Sequence, residues 1–201
     1  MIVLGLTGSI GMGKSTTASL FAEAGIPVND ADQMVHDLYR GEAVKEVGKL
    51  FPDAIRDEVV DRKLLAENLA KNPDKFRDLE EIVHPLVRER EKHFLELQRI
   101  AGADMVVLDI PLLFETGNAS RVDKIVVVSC DAAIQRQRVL ERPGMTAEKF
   151  EMILSRQMPD AEKRLRADFV IDTGHGVDAA RERVRQIIAE LRAGKEKMPN
   201  A

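Results

Sequence analysis

The stretch Gly8-Ser9-Ile10-Gly11-Met12-Gly13-Lys14-Ser15-Thr16 constrains this chain more than any other. Its spacing is G-x-x-x-x-G-K-[ST], the phosphate-binding P-loop pattern. The apolar run Ile2-Val3-Leu4-Gly5-Leu6 before it reads as a buried strand, and Thr16 to Ala22 after it reads as a helix. Strand, glycine loop and helix together are the setting in which this spacing works. Glycines let successive backbone N–H groups turn inward onto phosphate oxygens. The helix N-terminus adds unpaired N–H groups and the positive end of its dipole. Lys14 brings a mobile point charge to the terminal phosphates, and Ser15 offers a hydroxyl to Mg²⁺. Gly11, Met12, Gly13, Lys14, Ser15 and Thr16 are therefore the expected nucleotide-binding residues.

Further strands follow at intervals. Gly25 to Asp30 reads as a turn and a short second strand, expected beside the first. Asp30-Ala31-Asp32 then opens a helix to about Tyr39. From Glu42 to about Ile100 strand signals are nearly absent. Val44, Val47, Leu50 and Phe51 recur at helical spacing, as do Leu64, Leu65 and Leu69, and Leu79, Ile82, Val83 and Leu86. Pro52, Pro73 and Pro85 punctuate this helical insertion. Strands return at Ala103–Ile110, Lys124–Cys130 and Asp168–Thr173, and a last helix runs from Val177 to about Leu191. Continuous apolar strands suit a parallel sheet covered on both faces. Alternating strands and helices predict an α/β domain with ligands outside the carboxyl ends of the strands, where the loop, Asp30/Asp32, Asp109 and the Arg142 region can converge.

The expected organisation is a three-layer P-loop kinase fold around a five-stranded parallel sheet. The nucleotide core covers 1–31, 101–141 and 167–193. A helical substrate-binding insertion covers 32–100, a helical lid 142–166 and a flexible polar tail 194–201. With 201 residues and a net charge of −4, the chain has no general attraction for nucleic acid or anionic membrane. No apolar run approaches the roughly 20 residues of a membrane span, and no secretory leader is evident, so a cytoplasmic protein is expected. Cys130 is the single cysteine and reads as a small core residue. No Cys/His spacing suits zinc.

A P-loop alone does not choose among kinase, GTPase, motor and binder. The chain is short, lacks an [NT]-K-x-D base-reading segment and crowds Arg136, Arg138, Arg142, Arg156, Lys163, Arg164 and Arg166 between its last two strands. A cationic lid there can close over a triphosphate and exclude water. Arg142 lies where the helix breaks at Pro143-Gly144, which makes it the best single candidate for a phosphate contact. A kinase acting on an alcohol needs a carboxylate to orient the hydroxyl and accept its proton, and Asp30 and Asp32 are candidates. Asp109, at a strand end, reads either as a water-mediated Mg²⁺ ligand or as an acceptor contact.

The sequence resembles the dephospho-coenzyme A kinase family. The resemblance rests on Leu6–Thr16, Asp30-Ala31-Asp32 with His36, and His84-Pro85-Leu86-Val87-Arg88. It continues through Asp109-Ile110-Pro111-Leu112-Leu113-Phe114-Glu115, Gln157-Met158-Pro159, Lys163-Arg164 and Arg166–Asp172, in the family's order. It implies transfer of the γ-phosphoryl group of ATP to the ribose 3′-hydroxyl of dephospho-coenzyme A, with Mg²⁺. It implies Asp32 as general base, Lys14 as P-loop lysine, Arg142 as lid arginine, and Leu112, Leu113, Phe114 and Glu115 as the acceptor-pocket wall. His84 reads as packing or as a substrate contact; His36 could pair with Asp32 or pack. Many members carry an arginine one turn before the glutamine; here Ile153 stands there, and Arg156 directly precedes Gln157. ATP and dephospho-coenzyme A are the expected partners of a monomer or weak homo-oligomer. A kinase for another nucleoside, nucleotide or small alcohol is the alternative enzyme, and a nucleotide-dependent switch the alternative class.

Overall fold

The computed structural model describes residues 1–196. The chain forms two compact units: Met1–Val28 with the chain from Ala101 onward, and Asn29–Ile100.

The first unit begins with β1 (Ile2–Thr7), the loop and α1 (Lys14–Glu23), and continues to β2 (Val28–Asp30), which leads into the second unit. After that unit come β5 (Met105–Asp109), β6 (Lys124–Ser129), α6 (Ala132–Leu140), α7 (Ala147–Leu154), α8 (Asp160–Leu165), β7 (Phe169–Asp172) and α9 (Val177–Glu196). The sheet order is β2-β5-β1-β6-β7. β1 runs parallel to both β5 and β6, and β6 runs parallel to β7. The expectation that the second strand adjoins the first is corrected: β5 lies between them. Lateral order depends on contacts between distant strands, which local patterning does not encode.

Side chains alternate across each strand, so the apolar runs serve both faces. Leu4 and Leu6, Met105 and Val107, Val126 and Val128, and Ile171 form one core with Leu20 and Phe21 of α1 and Val184, Ile187, Ile188 and Leu191 of α9. That is the helix face expected from spacing alone. Intervening residues Val3, Val106 and Val127 are buried as well, so neither sheet face is left to solvent. Cys130 is buried, and burial pushes its thiol pKa up, consistent with a packing residue. The start of the expected tail, 194–196, continues α9; 197–201 lie outside the described residues.

The second unit contains α2 (Ala31–Leu38), α3 (Val44–Leu50), β3 (Ile55–Arg56), β4 (Val59–Val60), α4 (Arg62–Lys71) and α5 (Lys75–Ile100). Its core gathers Leu38, Tyr39, Val47, Phe51, Leu65, Leu79 and Val83. Two features differ from expectation. Pro85 does not punctuate: α5 runs through it for 26 residues, because the apolar stripe Leu79–Val83 and its continuation keep one face packed on both sides of the proline. Between α3 and α4 the chain makes a minimal antiparallel hairpin, whose two turn residues Asp57 and Glu58 have φ of 47° and 61°. Such turns normally use Asn-Gly, so the sequence carries little warning of it.

Candidate active site

The loop is held in shape from several sides. Gly11 and Gly13 have φ of 80° and 91°, which side-chain-bearing residues rarely adopt. At Gly11 a Cβ would also clash with the Val139 side chain. Gly13 is the N-cap of α1, and no side chain caps that helix; its first N–H groups keep their capacity for an anion. Thr7 Oγ1 donates to Pro111 O at 3.1 Å. Thr173 Oγ1, at the end of β7, donates to Met12 O at 2.8 Å. The Met12 side chain turns inward and its sulfur accepts from Cys130 N at 3.2 Å, so Met12 anchors the loop to the end of β6.

Lys14 extends from the first turn of α1 to Asp109, the last residue of β5. Its Nζ lies 2.5 Å from Asp109 Oδ1, with the carboxylate almost wholly buried and the ammonium partly exposed. Leu6 and Asp109 are register partners in the parallel pair β1/β5, so the strand alignment brings the carboxylate beside the loop. Ser15 and Thr16 are exposed at the helix start.

A cavity of about 290 Å³ opens beside the loop, lined by Gly11, Gly13, Thr16, Arg138, Arg142 and Thr173, with Val177 and Ala180 of α9 supplying apolar surface. Its two arginines differ. Arg138 is fixed: Nη2 donates to Thr173 O at 2.8 Å and Nη1 to Thr173 Oγ1 at 3.0 Å. Arg142 is exposed just beyond α6, and its guanidinium makes no hydrogen bond or ion pair among the described residues. The other cations expected of a lid are placed otherwise. Arg136 pairs with Glu151 at 2.7 Å and lies over the Phe150 ring, joining α6 to α7. Arg156, Arg164 and Arg166 are exposed. Lys163 is fully buried, 2.8 Å from Glu115 Oε1.

The Leu112–Glu115 segment follows β5. Leu113 is completely buried and Leu112 is 40% exposed, while Phe114 is half-buried. Glu115 Oε1 accepts from Met158 N at 2.8 Å. Burial acts to raise the Glu115 pKa, but contact with the Lys163 ammonium and the Met158 N–H outweighs it and holds the carboxyl below its ordinary range.

Asp32 and His84 belong to the second unit. There the two aspartates separate by role. Asp30 is the N-cap of α2, its Oδ1 accepting from Asp32 N at 2.9 Å and from Gln33 N at 3.1 Å. Asp32, within the first turn, is exposed, and its carboxylate makes no hydrogen bond among the described residues. His84 is largely exposed, its Nε2 3.9 Å from Glu80 Oε1. His36 is half-buried on α2.

Sequence reasoning did not single out Gln135 or Thr173, and quoted Gln157 without assigning it work. Gln135 Nε2 donates to Ile10 O at 2.8 Å, and Gln157 Oε1 accepts from Ile10 N at 3.1 Å. One signal was available: Gln135 and Val139 lie four residues apart on the buried face of α6, an unusual place for a glutamine without a partner.

Comparison with known proteins places the chain in a family. The family model described as dephospho-CoA kinase matches residues 2–178. A dephospho-CoA kinase of Agrobacterium fabrum is 63% identical over 193 residues, covering 96% of this chain and 100% of its own. One from Rhizobium etli is 62% identical, covering 96% and 95%. Among solved structures, a Thermus thermophilus protein superposes with a TM-score of 0.78 at 35% identity, covering 94% of this chain and 97% of its own. The dephospho-CoA kinase from Campylobacter jejuni gives 0.74 at 25%, covering 96% and 98%. A shikimate kinase from Acinetobacter baumannii, at 0.51 and 20% identity, covering 97% and 95%, shares the fold. With its P-loop, its parallel sheet and matches that run nearly end to end, the chain belongs to the dephospho-CoA kinase family.

Proposed function

We propose that this chain transfers the γ-phosphoryl group of ATP to the ribose 3′-hydroxyl of dephospho-coenzyme A, giving coenzyme A. The observation that carries the reading is the loop with Lys14 beside Asp109, next to a cavity lined by Arg138 and Arg142, in a chain of this family. Loop N–H groups and the N-terminus of α1 bind the phosphates. Lys14, free to leave Asp109 when phosphate arrives, follows the terminal phosphoryl group, and Arg142 covers it. Positioning and charge stabilisation dominate phosphoryl transfer, because its transition state is loose. Asp32 orients the acceptor hydroxyl and takes its proton. The accessible part of the 112–115 segment supports the acceptor, and His84 is a candidate contact to it. The insertion 32–100 then serves the acceptor and the segment 142–166 acts as a lid.

The residues suit a Mg²⁺ ion that arrives with the nucleotide. No group of three or more His, Cys, Asp and Glu side chains among the described residues could hold a metal alone, whereas Mg²⁺ in such sites keeps phosphate and water ligands and needs few from protein. Ser15, exposed at the start of α1, would supply a hydroxyl, and Asp109 would act through water. When bound, the ion neutralises charge on the β- and γ-phosphates. Among the described residues no helix is long and apolar enough to cross a membrane; a cytoplasmic monomer or weak homo-oligomer fits this reading.

A coupled assay with ATP and dephospho-coenzyme A tests it. Turnover is expected only with both substrates, and mass spectrometry should find one added phosphate at the 3′ position. Nucleotide hydrolysis without a phosphorylated acceptor would overturn the reading.

A further inference from the structure

Ile10 stands at the crown of the loop, and side chains from elsewhere hold both of its backbone groups. Its N–H donates to Gln157 Oε1 at 3.1 Å, and its carbonyl accepts from Gln135 Nε2 at 2.8 Å. A backbone N–H engaged in this way is turned from the phosphate. The two glutamines therefore hold the two successive peptide units that flank the Ile10 Cα, Gln157 the Ser9–Ile10 unit and Gln135 the Ile10–Gly11 unit.

Gln135 is buried on α6 and is positioned by that helix. Gln157 lies in the irregular turn between α7 and α8, where regular backbone does not set its direction. The next residue is held instead: Met158 N donates to Glu115 Oε1 at 2.8 Å. The same oxygen lies 2.8 Å from Lys163 Nζ, whose side chain is completely withdrawn from solvent. The contact is a buried ion pair, and it lowers the Glu115 pKa. One turn earlier on α8, Asp160 Oδ2 accepts from Ser129 Oγ at 2.7 Å, which fastens the start of α8 to the end of β6. Buried ammonium groups are rare and costly unless paired. This one spans the segment after β5 and the turn that carries Gln157.

We propose that Lys163 and Glu115 are positioning residues for nucleotide binding. Their buried ion pair sets the Gln157-Met158 turn, and Gln157 in turn orients the Ile10 peptide of the loop. The chain of contacts is Lys163 to Glu115, Glu115 to Met158 N, and Gln157 to Ile10 N. This role rests on the reading that the loop binds ATP for phosphoryl transfer.

Steady-state kinetics of the full chain with ATP and dephospho-coenzyme A tests the proposal, alongside thermal unfolding without nucleotide. Gln157→Met, which keeps length and loses the acceptor, should raise the ATP KM about tenfold, near one hydrogen bond's worth. The dephospho-coenzyme A KM should stay within about twofold. Lys163→Met should raise the ATP KM in the same direction and add almost nothing in the Gln157→Met background, since it acts through Gln157. If Lys163→Met does not fold, Glu115→Gln, which keeps an acceptor for Met158 N, takes its place in the cycle. Unchanged ATP KM in Gln157→Met overturns the proposal. So does full additivity of the two substitutions, which would mean that the ion pair does not act through Gln157. Absence of turnover by the unmodified chain would instead overturn the functional reading, and ATP titration calorimetry would then read the same ratios.

Discussion

Lys14 and Asp109 meet at 2.5 Å across two neighbouring parallel strands, one side chain rising from the helix after β1 and the other closing β5. The buried carboxylate gives the lysine a defined resting place beside the loop. Lys14→Met should lower kcat by roughly 10²–10³, the usual loss when a preorganised charge-stabilising donor is removed. Asp109→Asn keeps the shape and removes the charge, and should cost less, about tenfold in kcat. Single-turnover measurements at saturating ATP check both. Equal rates for Lys14→Met and the unmodified chain would remove Lys14 from the chemistry.

The aspartates at the start of α2 offer a contrast within three residues. Asp30 accepts two backbone N–H groups as a helix cap, so Asp30→Ala should lower stability by about 1 kcal/mol, the usual worth of a cap. Asp32 accepts none. Asp32→Asn should leave stability within about 0.5 kcal/mol, as for a surface substitution, and lower kcat by roughly 10²–10⁴, the contribution of a general base, with the ATP KM nearly unchanged. Denaturant titration paired with kinetics separates the two. Unchanged turnover in Asp32→Asn would rule it out as the base.

The two arginines of the cavity should also separate. Among the described residues Arg142 has no partner to release, so Arg142→Ala should weaken ATP use through kcat, KM or both, at constant melting temperature. Arg138 holds Thr173, which holds Met12 of the loop. Arg138→Ala should therefore lower both stability and ATP affinity, the stability loss being about 1.5–3 kcal/mol for hydrogen bonds from a charged group. Melting curves with and without ATP give both quantities. Wild-type kinetics for Arg142→Ala would leave that residue as a solvated surface arginine.

Acid should weaken the first unit through Glu115. Its folded-state pKa lies below its ordinary value, so its contribution is present above the unfolded carboxyl pKa. That contribution is lost as pH falls through the folded value. Melting temperature followed from pH 7 downward should show a steeper acid fall for the unmodified chain than for Glu115→Gln. Parallel curves would mean that the Lys163 pair contributes no pH-dependent stability.

Much of this was legible because it is local. The loop, the helix that follows it and the face Val184-Ile187-Ile188-Leu191 each depend on residues within one or two turns. The hairpin at Asp57-Glu58 was missed because its turn uses residues that rarely take positive φ. Lys163 read as one more lid cation, since an exposed and a buried lysine look alike until the partner carboxylate, 48 positions away in Glu115, is in place.

By itself the sequence determined the P-loop spacing from Gly8 to Thr16, that the domain is α/β, and which family its pattern matches. Backbone curvature, helix dipoles and apolar periodicity follow from residue types at short range. Tertiary structure alone decided that β5 stands between β2 and β1, bringing Asp109 to Lys14, and that Gln135 and Gln157 grip Ile10 from opposite sides. It also decided that Lys163 is buried. These are meetings of residues up to 147 positions apart. Their energies depend on desolvation and on partners that only the packed chain brings within reach.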